Sequence, residues 1–110
     1  MKTSELTGAA LNWAVAKAMG GGDAPGSFLD GVVPHPDYLK FYPSTDWAQG
    51  GPIIERGKII ISPDPQHGWR AMPYMDLTEF YGPTPLIAAM RCHVASEMGN
   101  EIEIPKELQP

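Results

Sequence analysis

The densest chemistry in the chain lies in Tyr42-Pro43-Ser44-Thr45-Asp46-Trp47-Ala48-Gln49-Gly50-Gly51-Pro52. One ring, two hydroxyls, a carboxylate, an amide and two glycines stand between two prolines, with a second ring just before the first proline, more hydrogen-bonding capacity than a plain connection needs. Asp46 beside Trp47 is the strongest candidate for ligand contact. An aromatic face offers stacking, and a carboxylate accepts bonds from an amine, a ribose or a guanidinium. The structural reading of the same residues makes Asp46 the cap of a short helix starting near Trp47, with Ser44 and Thr45 as rivals and Trp47 filling the core. The two readings are compatible.

Arg91 is the other residue that needs an explanation. On a helical wheel it falls between Met98 and Ala95, beside the apolar face, and a buried unpaired charge costs several kcal/mol. A structural ion pair with Asp46 or Glu55 is the preferred account; a fork left free for a phosphate or carboxylate is the other. The candidate ligand-binding set is therefore Tyr42, Ser44, Thr45, Asp46, Trp47, Gln49, Gly50, Gly51 and Arg91.

Other chemistries find little support. His35, His67 and His93 are scattered without metal-ligand spacing. There is no Gly-x-Ser-x-Gly elbow, and Cys92 lies in a helix interior without an activating setting. The run Gly20-Gly21-Gly22 lacks the following Gly-Lys-Ser/Thr of a phosphate loop and reads as a helix stop. No catalytic set, metal or cofactor is assigned.

These residues must be positioned by a small scaffold. The 110 residues read as one domain, with 12 Gly and 12 Pro implying short elements and long loops. Eight Lys and Arg against 13 Asp and Glu give a formal charge of −5, which disfavours phosphate backbones and anionic lipid; neither nucleic acid nor membrane is an expected partner. One cysteine, no signal peptide and no apolar run near the ~20 residues of a membrane span predict a cytosolic protein.

Thr3 to Met19 is predicted as an Ala-rich, largely buried helix with Thr7 as its cap. Asp23 to Pro43 reads as loop with short extended pieces at Val32-Val33 and Tyr38–Tyr42. Pro52–Gly57 allows a short helix with Pro at its first position or, from the Ile53-Ile54 pair, a strand entering a hairpin at Arg56-Gly57; the short helix is preferred. Lys58–Ser62 is predicted as a strand covered on both faces, paired through a turn with Trp69–Met72. A last helix runs from the cap Thr84, through Pro85, to the stop Gly99, with Ile87, Met90, Val94 and Met98 on one face and His93, Ser96 and Glu97 towards the other. Glu101–Ile104 could form a short edge strand. Trp13 and Trp69 read as packing residues. The sum is a small α+β domain, residues 1–110, with two main helices packed on a short antiparallel sheet.

Three blocks resemble the NinX-like proteins of lambdoid phages and prophages: Thr3–Ala16, Pro43–Glu55 and Gly82–Arg91. The resemblance implies a phage accessory protein made in the host cytoplasm, with Ser44–Pro52 and Gly82–Arg91 as hallmark blocks that meet in the fold. The Asp46-Trp47 pair is also similar to one in small phage proteins that sequester nucleotide signals. The preferred reading is a non-enzymatic, homo-oligomeric protein that binds a small polar ligand or nucleotide near Asp46, Trp47 and Arg91. The alternative is an interaction module whose rings Phe41, Tyr42, Tyr74 and Tyr81 dock a host or phage protein. A small hydrolase using Asp46 and a histidine is the third.

Overall fold

The computed structural model describes residues 1–19, 33–35 and 38–109. A 3₁₀ turn at Thr3–Glu5 precedes helix α1 (Gly8–Ala18); strands β1 (Val33–His35) and β2 (Tyr38–Phe41) follow, then helix α2 (Trp47–Gly57). Strands β3 (Ile60–Asp64), β4 (Gly68–Met72) and β5 (Phe80–Gly82) lead into helix α3 (Pro85–Met98), and a second 3₁₀ turn lies at Lys106–Leu108. β1 and β2 form an antiparallel pair, and β3-β4-β5 form an antiparallel meander. This is an α+β fold.

α3 is the central element. It packs on the three-stranded sheet and contacts both α1 and α2. Being covered on several sides, it buries Leu86, Ala88, Ala89, Met90, Cys92 and Val94, a wider surface than one helical stripe. Its start follows the sequence expectation: the Thr84 hydroxyl accepts from the Ile87 amide at 3.1 Å, Pro85 follows, and Gly99 ends the helix with φ 88°. Burial pushes the Cys92 thiol up to about 11, leaving it a core residue rather than a nucleophile.

α1 is buried at every position from Ala10 to Ala16, but it is shorter than predicted. Leu6, fully buried, and Thr7 are extended, so the 3₁₀ turn is a separate element, and the Thr7 hydroxyl caps nothing. Gly8 has φ +56°, a conformation that breaks continuity with the turn before it. The expected stop at Gly20–Gly22 and residue Val32 lie outside the described residues. Within α1, Trp13 is only 6% exposed, as expected of a packing residue, and Trp69 is half-buried against the same core.

α2 corrects the expected Pro52–Gly57 helix by starting five residues earlier. Its cap is Asp46, whose Oδ1 accepts from the Ala48 amide at 3.0 Å, so Pro52 sits in the helix interior. Pro normally breaks a helix by losing an amide and crowding the residue before it; here that residue is Gly51, with no Cβ to crowd. The far end closes on Lys58, left-handed at φ 52°, with the Ile59 amide bonded to the Ile54 carbonyl at 3.1 Å. That closure takes Lys58 and Ile59 out of β3, which begins two residues later than expected. β3 is also not covered on both faces, since Ile60 is 41% exposed. Glu101 makes an isolated bridge to Lys2 rather than a strand, and Ile102 and Ile104 seal the core from that side.

Candidate functional site

The central turn is fixed from three directions. The Ser44 amide donates to Asn12 Oδ1 at 3.0 Å, joining the turn to a buried polar residue of α1. The Tyr42 amide donates to Gln49 Oε1 at 2.6 Å, and the amides of Gln49 and Gly50 donate to the Asp46 carbonyl. Gly50 then lets the turn approach α3. A Cβ there would lie 2.5 Å from the Pro43 carbonyl oxygen and 2.6 Å from Leu86 Cδ2. The two blocks Ser44–Pro52 and Gly82–Arg91 thus meet, and glycine is what permits it.

Where they meet there is a cleft of about 230 Å³. Ser44, Thr45 and Trp47 line one side, and Thr84 to Ile87 line the other. Ser44 is 2% exposed, and its hydroxyl has no hydrogen-bond partner, an unusual and costly state for a buried polar group. Trp47 is 54% exposed, so it does not fill the core; its ring stands at the mouth. Both helix starts face this region with an amide to spare. In α3, Pro85 has no amide proton, while those of Ile87 and Ala88 go to the Thr84 hydroxyl and carbonyl, leaving that of Leu86. In α2, the amides of Ala48, Gln49 and Gly50 are held by Asp46, leaving that of Trp47.

Of the sequence-derived set, the cleft takes Ser44, Thr45 and Trp47, with Asp46 between them holding the α2 start. Tyr42, Gln49, Gly50 and Gly51 shape the turn and lie outside the lining. Arg91 does not line it either, and forms no ion pair with Asp46 or Glu55. Its Nε donates to the Leu6 carbonyl at 2.8 Å and its Nη1 to the Tyr81 carbonyl at 2.7 Å. Burial lowers its pKa, and two carbonyl dipoles take the place of a carboxylate. Leu86 was missed by sequence reasoning, although the Thr84-Pro85 helix start advertised a free amide one residue on.

Phe41 is fully buried, so the four rings proposed as a docking patch do not share a surface; Tyr74 alone of them is exposed. Asp46 contacts no histidine among the described residues: His67 hydrogen-bonds Asp64 and stacks on Tyr81 at 4.1 Å, and His93 lines a different cleft. No group of three metal-binding side chains occurs among the described residues. No helix there is long and apolar enough to cross a membrane.

The architecture is thus a small α+β domain in which two helix starts and a glycine-dependent turn line one cleft. A family model described as "Bacteriophage P22, NinX" matches residues 2–97, and the chain belongs to that phage family. A search of the curated proteins found no match.

Proposed function

We propose that this phage-family protein is a binding protein for a small anionic ligand with a planar ring, of the nucleotide class, held in the cleft between Trp47 and Leu86. The observation that carries this reading is the meeting of a buried, unpartnered Ser44 hydroxyl with the spare amides of two helix starts beside an exposed tryptophan. Amides at helix starts favour negative charge, and an indole face stacks any base. The ring lies on Trp47, the anionic group takes the Leu86 amide and Ser44 hydroxyl, and a ribose reaches the Asp46 oxygen not used in capping. At about 230 Å³ the cleft falls below the usual range of enclosed pockets, so the ligand is held on one face and stays partly in solvent. A second copy of the chain or a host protein could cover that open face, and the site of action is the infected cell's cytoplasm.

A second reading has its own support, since Tyr74, Met75 and Leu77 are 58%, 83% and 76% exposed and form an apolar segment suited to a protein partner. One experiment separates the two. Native mass spectrometry of gently purified protein is followed by denaturing extraction. A stoichiometric small molecule that disappears in Trp47→Ala supports the cleft. A clean mass in the parent protein, or retention of the molecule by Trp47→Ala, overturns it, and a co-purifying protein lost on Met75→Asp installs the second reading.

A further inference from the structure

Towards the far end of α3 lies a second cleft, of about 240 Å³, which the reading above does not use. It is built where the end of α2 and the lead into β3 face the Pro73–Met75 loop and the last turns of α3. Four observations set it apart from a chance hollow.

His93 lines it with an Nε2 that is buried and has no hydrogen-bond partner. Burial lowers the pKa of this ring, so it is a neutral imidazole whose polar nitrogen awaits a partner. Arg56 and Glu97 also line the cleft, close enough to His93 to act on it electrostatically. Neither enters an ion pair among the described residues. Lys58 stands at the same cleft with its ammonium 5.5 Å from the Tyr74 ring centroid. And Lys58 is the one non-glycine residue with positive φ among those described, although such a helix end normally takes glycine. A strained cation beside an orphaned imidazole is what a binding site retains at a cost to stability.

The lining identifies the ligand's chemistry. Two cations stand against one carboxylate in a chain whose net charge is −5, so the cleft is a positive spot on an acidic protein. Ile59, Pro73, Tyr74 and Met75 give it apolar walls. Glu97 opposes a second negative charge. We infer that this cleft binds a small organic monoanion with an aromatic or aliphatic body, its charge met by Arg56 and Lys58 and one of its oxygens by His93 Nε2. The body packs on Tyr74 and Ile59. Arg56 and Glu97 set the preference: the guanidinium attracts the anion, and the carboxylate limits how much charge is accepted.

Benzoate is the probe, with benzyl alcohol as its uncharged counterpart, read by heteronuclear NMR on the full chain. Benzoate is expected to give saturable, single-site shifts of the His93 ring and the Tyr74 and Ser96 amides, and benzyl alcohol to bind about tenfold more weakly. Arg56→Gln should lower benzoate affinity about fivefold and Glu97→Gln raise it about threefold, as expected for partly exposed charges. Both residues are exposed, so these variants fold. Lys58→Gly should raise the melting temperature while weakening benzoate, a combination that a structural lysine would not give. Equal binding of the two probes reduces the cleft to an apolar hollow and overturns the proposal, as does an absence of saturable shifts. Weaker benzoate binding in Glu97→Gln overturns the monoanion assignment. Trp47→Ala, which empties the first cleft, should leave all of these responses in place.

Discussion

Arg91 and Leu6, 85 residues apart in sequence, are joined by a 2.8 Å hydrogen bond from the guanidinium Nε to the Leu6 carbonyl. The same guanidinium reaches the Tyr81 carbonyl at 2.7 Å, so one side chain of α3 ties the segment before α1 to the edge of β5. Removing it leaves two carbonyls without their charged donor. Arg91→Met is expected to cost about 2–3 kcal/mol in urea denaturation. Arg91→Lys should recover only a part of this, because an ammonium cannot span both acceptors in the fork geometry. Full stability in Arg91→Met would mean that water replaces the guanidinium at both carbonyls.

That tie also shows what was legible beforehand. The wheel position of Arg91 revealed a cation at an apolar boundary, but its partners are backbone atoms, which carry no sequence signal. α3 was legible because Thr84, Pro85 and Gly99 each act locally. For α2 the sequence offered two starts, and the cap reading of Asp46 before Trp47 is the one the structure bears out; Pro52, which normally marks a helix start, misled because the Cβ-less Gly51 before it lets the helix run through. β5 escaped notice since three residues are too few for an alternating pattern. In the first cleft, Ser44, Thr45 and Trp47 stood out by composition. In the second cleft the sequence grouped only His93 and Glu97, on one face of α3; Arg56 and Lys58 at the end of α2 and Tyr74 of the following loop join them only through the packing of α2 and the Pro73–Met75 loop on α3.

Ser44 gives the first cleft a test that needs no ligand in hand. Its buried hydroxyl is unpartnered, so in ligand-free protein Ser44→Ala should be neutral or stabilising, by up to about 1 kcal/mol. Its amide, bonded to Asn12, is unaffected by the change. The same variant should retain less ligand in native mass spectrometry. A loss of stability would show that the hydroxyl does structural work in the free protein.

Gly50 tests the junction between the two hallmark blocks. Alanine is the better helix former by about 1 kcal/mol, but its Cβ would lie 2.6 Å from Leu86 Cδ2 and 2.5 Å from the Pro43 oxygen. The leucine can turn aside; the carbonyl cannot move without the whole turn. Gly50→Ala is therefore expected to be net destabilising by about 1–3 kcal/mol in chemical denaturation, the range for overpacking. It should also disturb Ser44, which lies next to Pro43.

His93 makes stability depend on pH, with a sign that can be worked out. Burial and Arg56 lower its folded pKa, Glu97 pulls the other way, and burial is the largest effect. The unfolded chain regains the ordinary histidine value near ~6.5 and so binds the proton more readily than the fold does. The contribution is fully present above that value and is lost as pH falls from it towards the depressed folded pKa. Urea midpoints should therefore drop between pH 7.5 and pH 5.5 by more in the parent than in His93→Gln. Occupation of the second cleft weakens this dependence: an anion against Nε2 favours the imidazolium, so saturating benzoate should raise the His93 pKa and flatten the acid limb. If benzoate leaves the His93 titration where it was, the ring does not contact the anion, and the polar nitrogen in that cleft has some other partner to find.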